Sequence, residues 1–509
     1  MEVRLLPPEP LVAAEALGLH NEARLSKADA VKTASKPRRT LALVVLAAGE
    51  GRRMRSHLQK VLTPVCGRPA LWHVLATARA ARPDRVVVIV GKEAGDVQAA
   101  VRSWGIVPEP TFVEQGKLLG TGHAVLVAEK AVGRVDDVLV ANGDFDPVRP
   151  EDVRALLRIH RRTKSAATVL TAELDDPAGY GRVIREGDRL LRIAEHADAT
   201  SAERRIREVA TNWAAFRREQ LYIALPLVGR ENRQQEHYLH DVYPILGAKG
   251  ERISAVLADT GGAMGLNSRA GVADIERVVR SRVNEQLMAN GVTLVDPAAT
   301  YIDVGVAIGR DTRIYPLTFI EGETRIGVGC VIGPGSRVLN SRIGDRSQVW
   351  FSVVMESRIG REVQIGPWAY IRPGTVMKDG SKAGTHVEIK NTVVGEASKV
   401  PHLSYVGDSR IGKRVNVGAA TVTVNYDGYE KHATEIGDDA RIGSDTMLVA
   451  PVRIGKGAVT GAGSVITSDV PAGALAIERV EQKIVKGYRK RRDSQKSGDR
   501  ATRGRRKGS

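Results

Sequence analysis

The sequence predicts two architectures in one chain of 509 residues: a doubly wound α/β domain, then a parallel β-helix built from six-residue repeats. Three observations carry this. From Leu41, short β-branched runs alternate with helical stretches of crossover length, the pattern of a parallel sheet with helices on both faces. After about residue 300 the period becomes six, with Ile-Gly or Val-Gly pairs starting at 308, 326, 332, 343, 359, 365, 394, 411, 417, 436, 442 and 454. Aromatic residues make up only 4% of the chain, which suits an interior too narrow for large rings.

Taken in order, residues 1–40 mix Pro, Ala and scattered charge without period and are expected to form a disordered extension. Residues 41–270 form the α/β domain, with buried strands expected at 41–46, 85–90, 137–140 and 167–170. Ile275, Val278, Val279, Val283 and Leu287 recur at helical spacing, so 271–295 reads as an amphipathic linker helix. Residues 296–482 carry the hexads. Each hexad gives a short strand whose aliphatic residue points inward, and only stacked coils can bury it. Residues 425–435 break the phase and should project as a loop. Residues 483–509 are Lys, Arg, Ser and Gly, expected to be a disordered basic tail.

The net charge of +17 resembles a nucleic-acid signal until it is divided along the chain. The tail alone holds +10 and residues 1–40 a further +2, leaving +5 over the body of the chain, which anionic substrates explain. One aromatic in the tail, Tyr488, gives base stacking little support, so no specific nucleic-acid partner is expected. The longest apolar run, 41–48, is far short of the roughly 18 residues of a spanning helix, and the start of the chain has no signal-peptide pattern. A cytoplasmic location follows as the expectation. Cys66 and Cys330 have no partners at metal-ligand spacing and read as small buried hydrophobes.

The first strand runs into Leu46-Ala47-Ala48-Gly49-Glu50-Gly51-Arg52-Arg53-Met54, with Lys60 a few residues on. Small residues let backbone N–H groups approach a phosphate, and two cations lie within reach of it. Alone, such a Gly-x-Gly reads more simply as a structural turn. The segment resembles the signature of sugar-1-phosphate nucleotidylyltransferases, apart from Arg52 in a Thr position and Gln59 in a Pro position. With the hexad half included, the resemblance narrows to the bacterial bifunctional N-acetylglucosamine-1-phosphate uridylyltransferases and glucosamine-1-phosphate acetyltransferases, over 41–482. Its most specific stretches are Lys399-Val400-Pro401-His402-Leu403-Ser404-Tyr405-Val406-Gly407-Asp408, Asn425-Tyr426-Asp427-Gly428 and Gly443-Ser444-Asp445-Thr446.

This resemblance implies a left-handed β-helix, a Rossmann-like first domain, and a product, UDP-N-acetylglucosamine, used in cell-wall and lipopolysaccharide precursor synthesis. It assigns Leu46, Ala47, Ala48, Gly49, Lys60, Gln115, Gly120, Thr121, Asn142, Gly143, Asp144, Gly181, Glu195 and Asn267 to UTP and the nucleotide sugar, and Asp144 and Asn267 to Mg²⁺. Arg53 and Lys60 would stabilise the transferring phosphates. A carboxylate at the carboxyl end of a strand is also where such a cation belongs on general grounds. In the second half His402 is the expected general base, since an amine attacks a thioester only as the free base and imidazole titrates near neutrality. Arg372, Lys390, Tyr405, Asn416 and Lys431 would hold glucosamine-1-phosphate. Ala419, Asn425, Tyr426, Ser444, Ala462 and Arg479 would hold acetyl-CoA, with Asn425 also facing the reacting centre. The family assembles as homotrimers whose acetyltransferase sites are shared between chains, so Asn425 or Arg479 is expected to come from a neighbouring chain.

Departures cluster on the sugar side. The family pattern Gly-Asp-x-Pro-Leu reads Gly143-Asp144-Phe145-Asp146-Pro147 here, and Glu-(Ile/Val)-Asn-x-Gly reads Glu208-Val209-Ala210-Thr211-Asn212. Tyr-Leu-Thr-Asp reads Tyr238-Leu239-His240-Asp241. These keep a second reading open, an acetyltransferase with a weakened first domain. A third is a binding protein acting through its basic tail.

Overall fold

A computed structural model describes residues 38–505, except Glu50, Arg52, Arg53, Glu93, Asp188 and 261–264, with side chains described as far as Lys496. Most of the N-terminal extension, and Arg53, therefore lie outside the described residues. The chain divides into two compact units, with the boundary between Glu356 and Ser357.

In the first unit, a sheet runs in the order Ile253–Leu257, Ala167–Glu173, Glu208–Arg217, Asp137–Asn142, Leu41–Ala47, Arg85–Val90, Thr111–Glu114. The four expected strands are all present and parallel where they neighbour one another. Glu208–Arg217 is an addition to the expected set. It lies antiparallel between Asp137–Asn142 and Ala167–Glu173, and its register against the latter shifts between Ala210 and Ala214. The hairpin Arg182–Glu186 with Arg189–Ala194 leans on this strand. Both sheet faces are covered, as a parallel sheet requires: Leu43, Val45 and Leu139 pack one way, Val44, Val87 and Val140 the other.

The helix Arg269–Ala289 starts where the Ser268 hydroxyl accepts from the Gly271 N–H at 3.1 Å. It buries Ile275, Val279 and Leu287, the stripe read from the sequence. The first hexad coils follow within the same unit, and Cys66 is tied to this helix by its N–H donating to Glu276 Oε1 at 3.2 Å. The boundary between the compact units falls inside the hexad region. Both cysteines are free and buried, and burial pushes the Cys66 thiol up to about 12.

The second unit stacks short parallel strands in three sheets. The first face holds Gln364–Ile365, Lys382–Thr385, Lys399–His402, Asn416–Val417, Arg441–Ile442 and Val459–Thr460. The second holds Tyr370–Ile371, Glu388–Lys390, Tyr405–Gly407, Val422–Val424, Met447–Val449 and Val465–Ile466. The third holds Val376–Met377, Val393–Val394, Ser409–Ile411, Thr434–Ile436 and Val452–Ile454. Val400, Ile389 and Val394, one from each face, are fully buried, so the prism interior is the hexad aliphatics. Between Tyr426 and Ala433 no strand forms beyond a bridge of Tyr426 to Lys431, and the segment is largely exposed.

The basic tail differs from expectation. Tyr488–Arg505 is a helix, because Arg, Lys, Gln and Ala favour helix even where nothing is buried. Its described side chains are all exposed.

Candidate active sites

In the first unit, the expected residues collect at the carboxyl ends of the strands. Leu46 pairs with Asn142, and the Gly143 N–H donates to the Leu46 carbonyl at 2.8 Å, bringing the Asp144 turn beside Ala47, Ala48 and Gly49. The Lys60 ammonium donates to Asp144 Oδ2 at 2.6 Å and to Asn267 Oδ1 at 3.0 Å. Asp144 Oδ1 is buried without a hydrogen-bond partner. A cation thus already bridges the two oxygens expected to bind metal, and a third oxygen beside them is uncommitted. Hard oxygen donors in this number suit Mg²⁺, which takes one or two protein ligands and completes its shell with phosphate and water. Among the described residues no cluster of three or more His, Cys, Asp or Glu offers another metal site.

Of the other residues expected to hold the nucleotide, Gln115 Nε2 donates to the Gly120 carbonyl at 3.1 Å, and Thr121 Oγ1 accepts from the Leu239 N–H at 2.9 Å. On the sugar side, the Gly181 carbonyl accepts from the Ala210 N–H at 3.0 Å. Glu195 stands 3.6 Å from His240 Nδ1. Burial, with Asp198 and Asp241 nearby, raises the Glu195 carboxyl above its ordinary range. Burial also lowers His240 to about 4, so the ring that replaces the family's Thr is neutral at pH 7.

Two other departures meet each other. Asp146 is almost fully buried, and its Oδ2 accepts from the Asn212 N–H at 3.0 Å and from Asn212 Nδ2 at 3.1 Å, while Oδ1 accepts from the Gly265 N–H at 2.9 Å. The register shift after Ala210 turns Asn212 toward it. Burial, aided by the Asp144 carboxylate, pushes the Asp146 carboxyl up to about 6. By sequence alone Asn212 is at best a weak substitute for the missing sugar amide; in the fold it is committed to Asp146.

In the second unit the expected residues fall on two edges of the prism. On the edge between the second and third faces, Arg372 Nη1 donates to Glu388 Oε1 at 2.7 Å and Lys390 Nζ to Asp408 Oδ2 at 3.5 Å. Asp408 also accepts from Asn391 Nδ2 at 2.7 Å and from Asn425 Nδ2. Burial opposes ionisation of Asp408, but these amides and the Lys390 ammonium hold its carboxyl below the usual range. Lys390 in turn lowers the Lys431 ammonium. A Cβ at Gly407 would stand 2.5 Å from the Tyr405 hydroxyl and 2.8 Å from Asn425 Nδ2, so only glycine lets these two groups approach. Arg372 on Glu388, Lys390 on Asp408, the nearby Lys431, the Tyr405 phenol and the Asn425 amide thus lie along one edge, a donor set that suits an anionic amino sugar. Asp408 and Glu388 are absent from the set assigned by sequence, although both organise it and Asp408 stands in the quoted motif.

The edge between the first and second faces carries His402, Ala419, Ser444 and Ala462, each at the end of a first-face strand or in the turn after it. Arg479 follows Leu475–Ala476, the last strand paired on that face, and its Cδ reaches 4.0 Å from where a Gly463 Cβ would be. His402 is exposed, and its ring makes no hydrogen bond among the described residues. Asn416 lies on the first face, paired beside Lys399. Tyr426 opens the projecting segment, its hydroxyl donating to the Gly428 carbonyl at 2.7 Å. Within one chain, Asn425 thus sits with Lys390 and Tyr405, while His402, Ala419, Ser444 and Ala462 lie along the neighbouring edge.

Lys60, Asp144 and Asn267 gathered at strand ends, and hexad coils edged by a histidine and a cluster of cations, fit the class of a nucleotidyltransferase joined to a hexapeptide transferase. Residues 43–214 match the MobA-like NTP transferase domain, and 433–468 match the bacterial transferase hexapeptide of six repeats. Curated relatives named "Bifunctional protein GlmU" match most of the chain. The one from Halalkalibacterium halodurans is 45% identical over 86% of this chain and 96% of its own. Those from Desulfitobacterium hafniense and Streptomyces avermitilis are each 44% identical over 88% of this chain, and 98% and 94% of theirs. The chain belongs to the bifunctional GlmU family.

Proposed function

We propose that this chain makes UDP-N-acetylglucosamine in two steps, acetylating glucosamine-1-phosphate from acetyl-CoA and then transferring uridylyl from UTP, with release of pyrophosphate. The observation that carries this is the presence of both constellations, Lys60-Asp144-Asn267 and the Asp408-centred cluster with His402, in a chain similar to bifunctional relatives over nearly their whole length.

For acetyl transfer, Arg372, Lys390 and Lys431 bind the sugar phosphate. His402 accepts a proton from the amine as its nitrogen attacks the thioester carbonyl, the Asn425 amide lies near the reacting centre, and coenzyme A leaves as the thiol. Because Arg372 and Lys390 lie on one edge of the prism and His402, Ala419, Ser444 and Ala462 on another, a second copy is expected to complete the site, and a closed trimer would supply it three times.

For uridylyl transfer, Lys60 and the backbone after Leu46 hold the phosphates of UTP, and the sugar-phosphate oxygen attacks the α-phosphorus in line. Mg²⁺, held by Asp144 and Asn267, would neutralise charge on the phosphates when bound. The acetyltransferase-only reading rests on Ala210 and His240; the neighbouring departures Asp146 and Asn212 are hydrogen-bonded to each other.

Supplying the half-reactions separately tests the whole. Acetylated product must form from glucosamine-1-phosphate and acetyl-CoA, and pyrophosphate from N-acetylglucosamine-1-phosphate and UTP. Excess chelator should stop the second and spare the first; full uridylyl turnover in chelator would sink the metal assignment.

A further inference from the structure

We propose that Asp146 is a positioning residue for the uridylyltransferase metal site, a role that rests on the reading above. Its carboxylate gathers three separate stretches of chain. Gly265, two residues before Asn267, donates to one oxygen, and the Asn212 backbone and side chain donate to the other. Asp146 itself follows Asp144 by two residues, and the Leu266 N–H closes the arrangement by donating to the Asp144 carbonyl at 3.1 Å. The stretches bearing the two metal-facing oxygens are thus joined through one buried carboxylate and one backbone bond, and the spacing that Lys60 spans follows from them.

Asp146 and Asn212 stand where the family pattern has Pro and Gly. A Pro would stiffen the turn by its fixed φ; here a hydrogen-bonded pair does that work across 66 positions of sequence. Groups that orient metal ligands from behind are worth about 10- to 100-fold in metal affinity when removed. Both residues belong to the first unit, whereas the acetyl-transfer cluster belongs to the second.

The test uses the full chain with Mn²⁺ as the metal probe, free Mn²⁺ being read by electron paramagnetic resonance in the presence of UTP. Asp146→Asn keeps the shape but sets an amide N–H against donors. Mn²⁺ affinity and uridylyl kcat should each fall about tenfold, with the KM for sugar phosphate changed less than about twofold and acetyl transfer and the thermal midpoint retained. Asn212→Gly, which removes one of the three bonds, should weaken Mn²⁺ by about threefold, a fraction of the same range. Unchanged Mn²⁺ affinity in both variants overturns the proposal, as does loss of both activities together with a lowered thermal midpoint in Asn212→Gly, which would mark a purely structural role. Should Asp146→Asn not fold, Asn212→Gly decides alone. If the unsubstituted chain releases no pyrophosphate, the uridylyltransferase reading fails, while the Mn²⁺ comparison still judges Asp146.

Discussion

At the scale of single residues, His402 carries the clearest expectation. His402→Ala should lower acetylation of glucosamine-1-phosphate by about 10²- to 10⁴-fold, the usual worth of a general base, and leave pyrophosphate release intact, since Lys60 and Asp144 belong to the other unit. Near-full acetylation by the variant would remove His402 from the mechanism. Ala210 supplies a second. A missing amide partner costs about 1 to 3 kcal/mol, so Ala210→Asn should lower the KM for N-acetylglucosamine-1-phosphate by about tenfold with kcat unchanged. An unaltered KM would show that the sugar is held elsewhere, with His240 and Glu195 the nearest groups to examine. His402, Lys60 and Asp144 were legible because each stands in a contiguous motif. Asp146 with Asn212 was not, since a bond between residues far apart in sequence depends on a register shift that no local pattern announces.

At the scale of elements, aliphatic periodicity located the strands of the parallel sheet and the hexad coils, both of which repeat a local rule. It missed Glu208–Arg217, whose mixed polar and apolar residues alternate poorly because its neighbours and the hairpin cover it unevenly. The strand Asp137–Asn142 shows how such an element is anchored. Asp137, fully buried, accepts from Arg39 at 2.7 Å and Arg161 at 3.0 Å, with His160 Nε2 at 3.7 Å. Burial opposes its ionisation, but His160, Arg39 and Arg161 overcome this and hold the carboxyl well below the ordinary carboxylate range. With the folded value depressed, the stabilisation is present above the unfolded value of about 4 and is lost as pH falls through the folded one. Asp137→Asn should therefore destabilise the first unit by about 3 kcal/mol at pH 7, by denaturant unfolding, and the deficit should shrink as the solution is acidified. A deficit independent of pH would mean that the carboxylate's charge is not what anchors the strand.

At the scale of the whole molecule, acetyl transfer should require association and uridylyl transfer should not. Light scattering across a dilution series, read beside both activities, should show acetylation falling as trimers dissociate while pyrophosphate release per chain stays level; a stable monomer with full acetyltransferase activity would refute the shared site. No helix among the described residues is long and apolar enough to cross a membrane. The coils also set a rule for how such a chain can change over generations. Strands on one face recur at intervals of 16 to 18 residues, and Ser409 meets Thr434 only after 25, the surplus being thrown outward between Asn425 and Thr434. A single inserted codon within a strand would turn its inward aliphatic to water. Lengthening must therefore arrive by duplication of a complete turn or be ejected as a spur, and the spur in this chain carries Lys431, one of the cations proposed to bind the sugar phosphate.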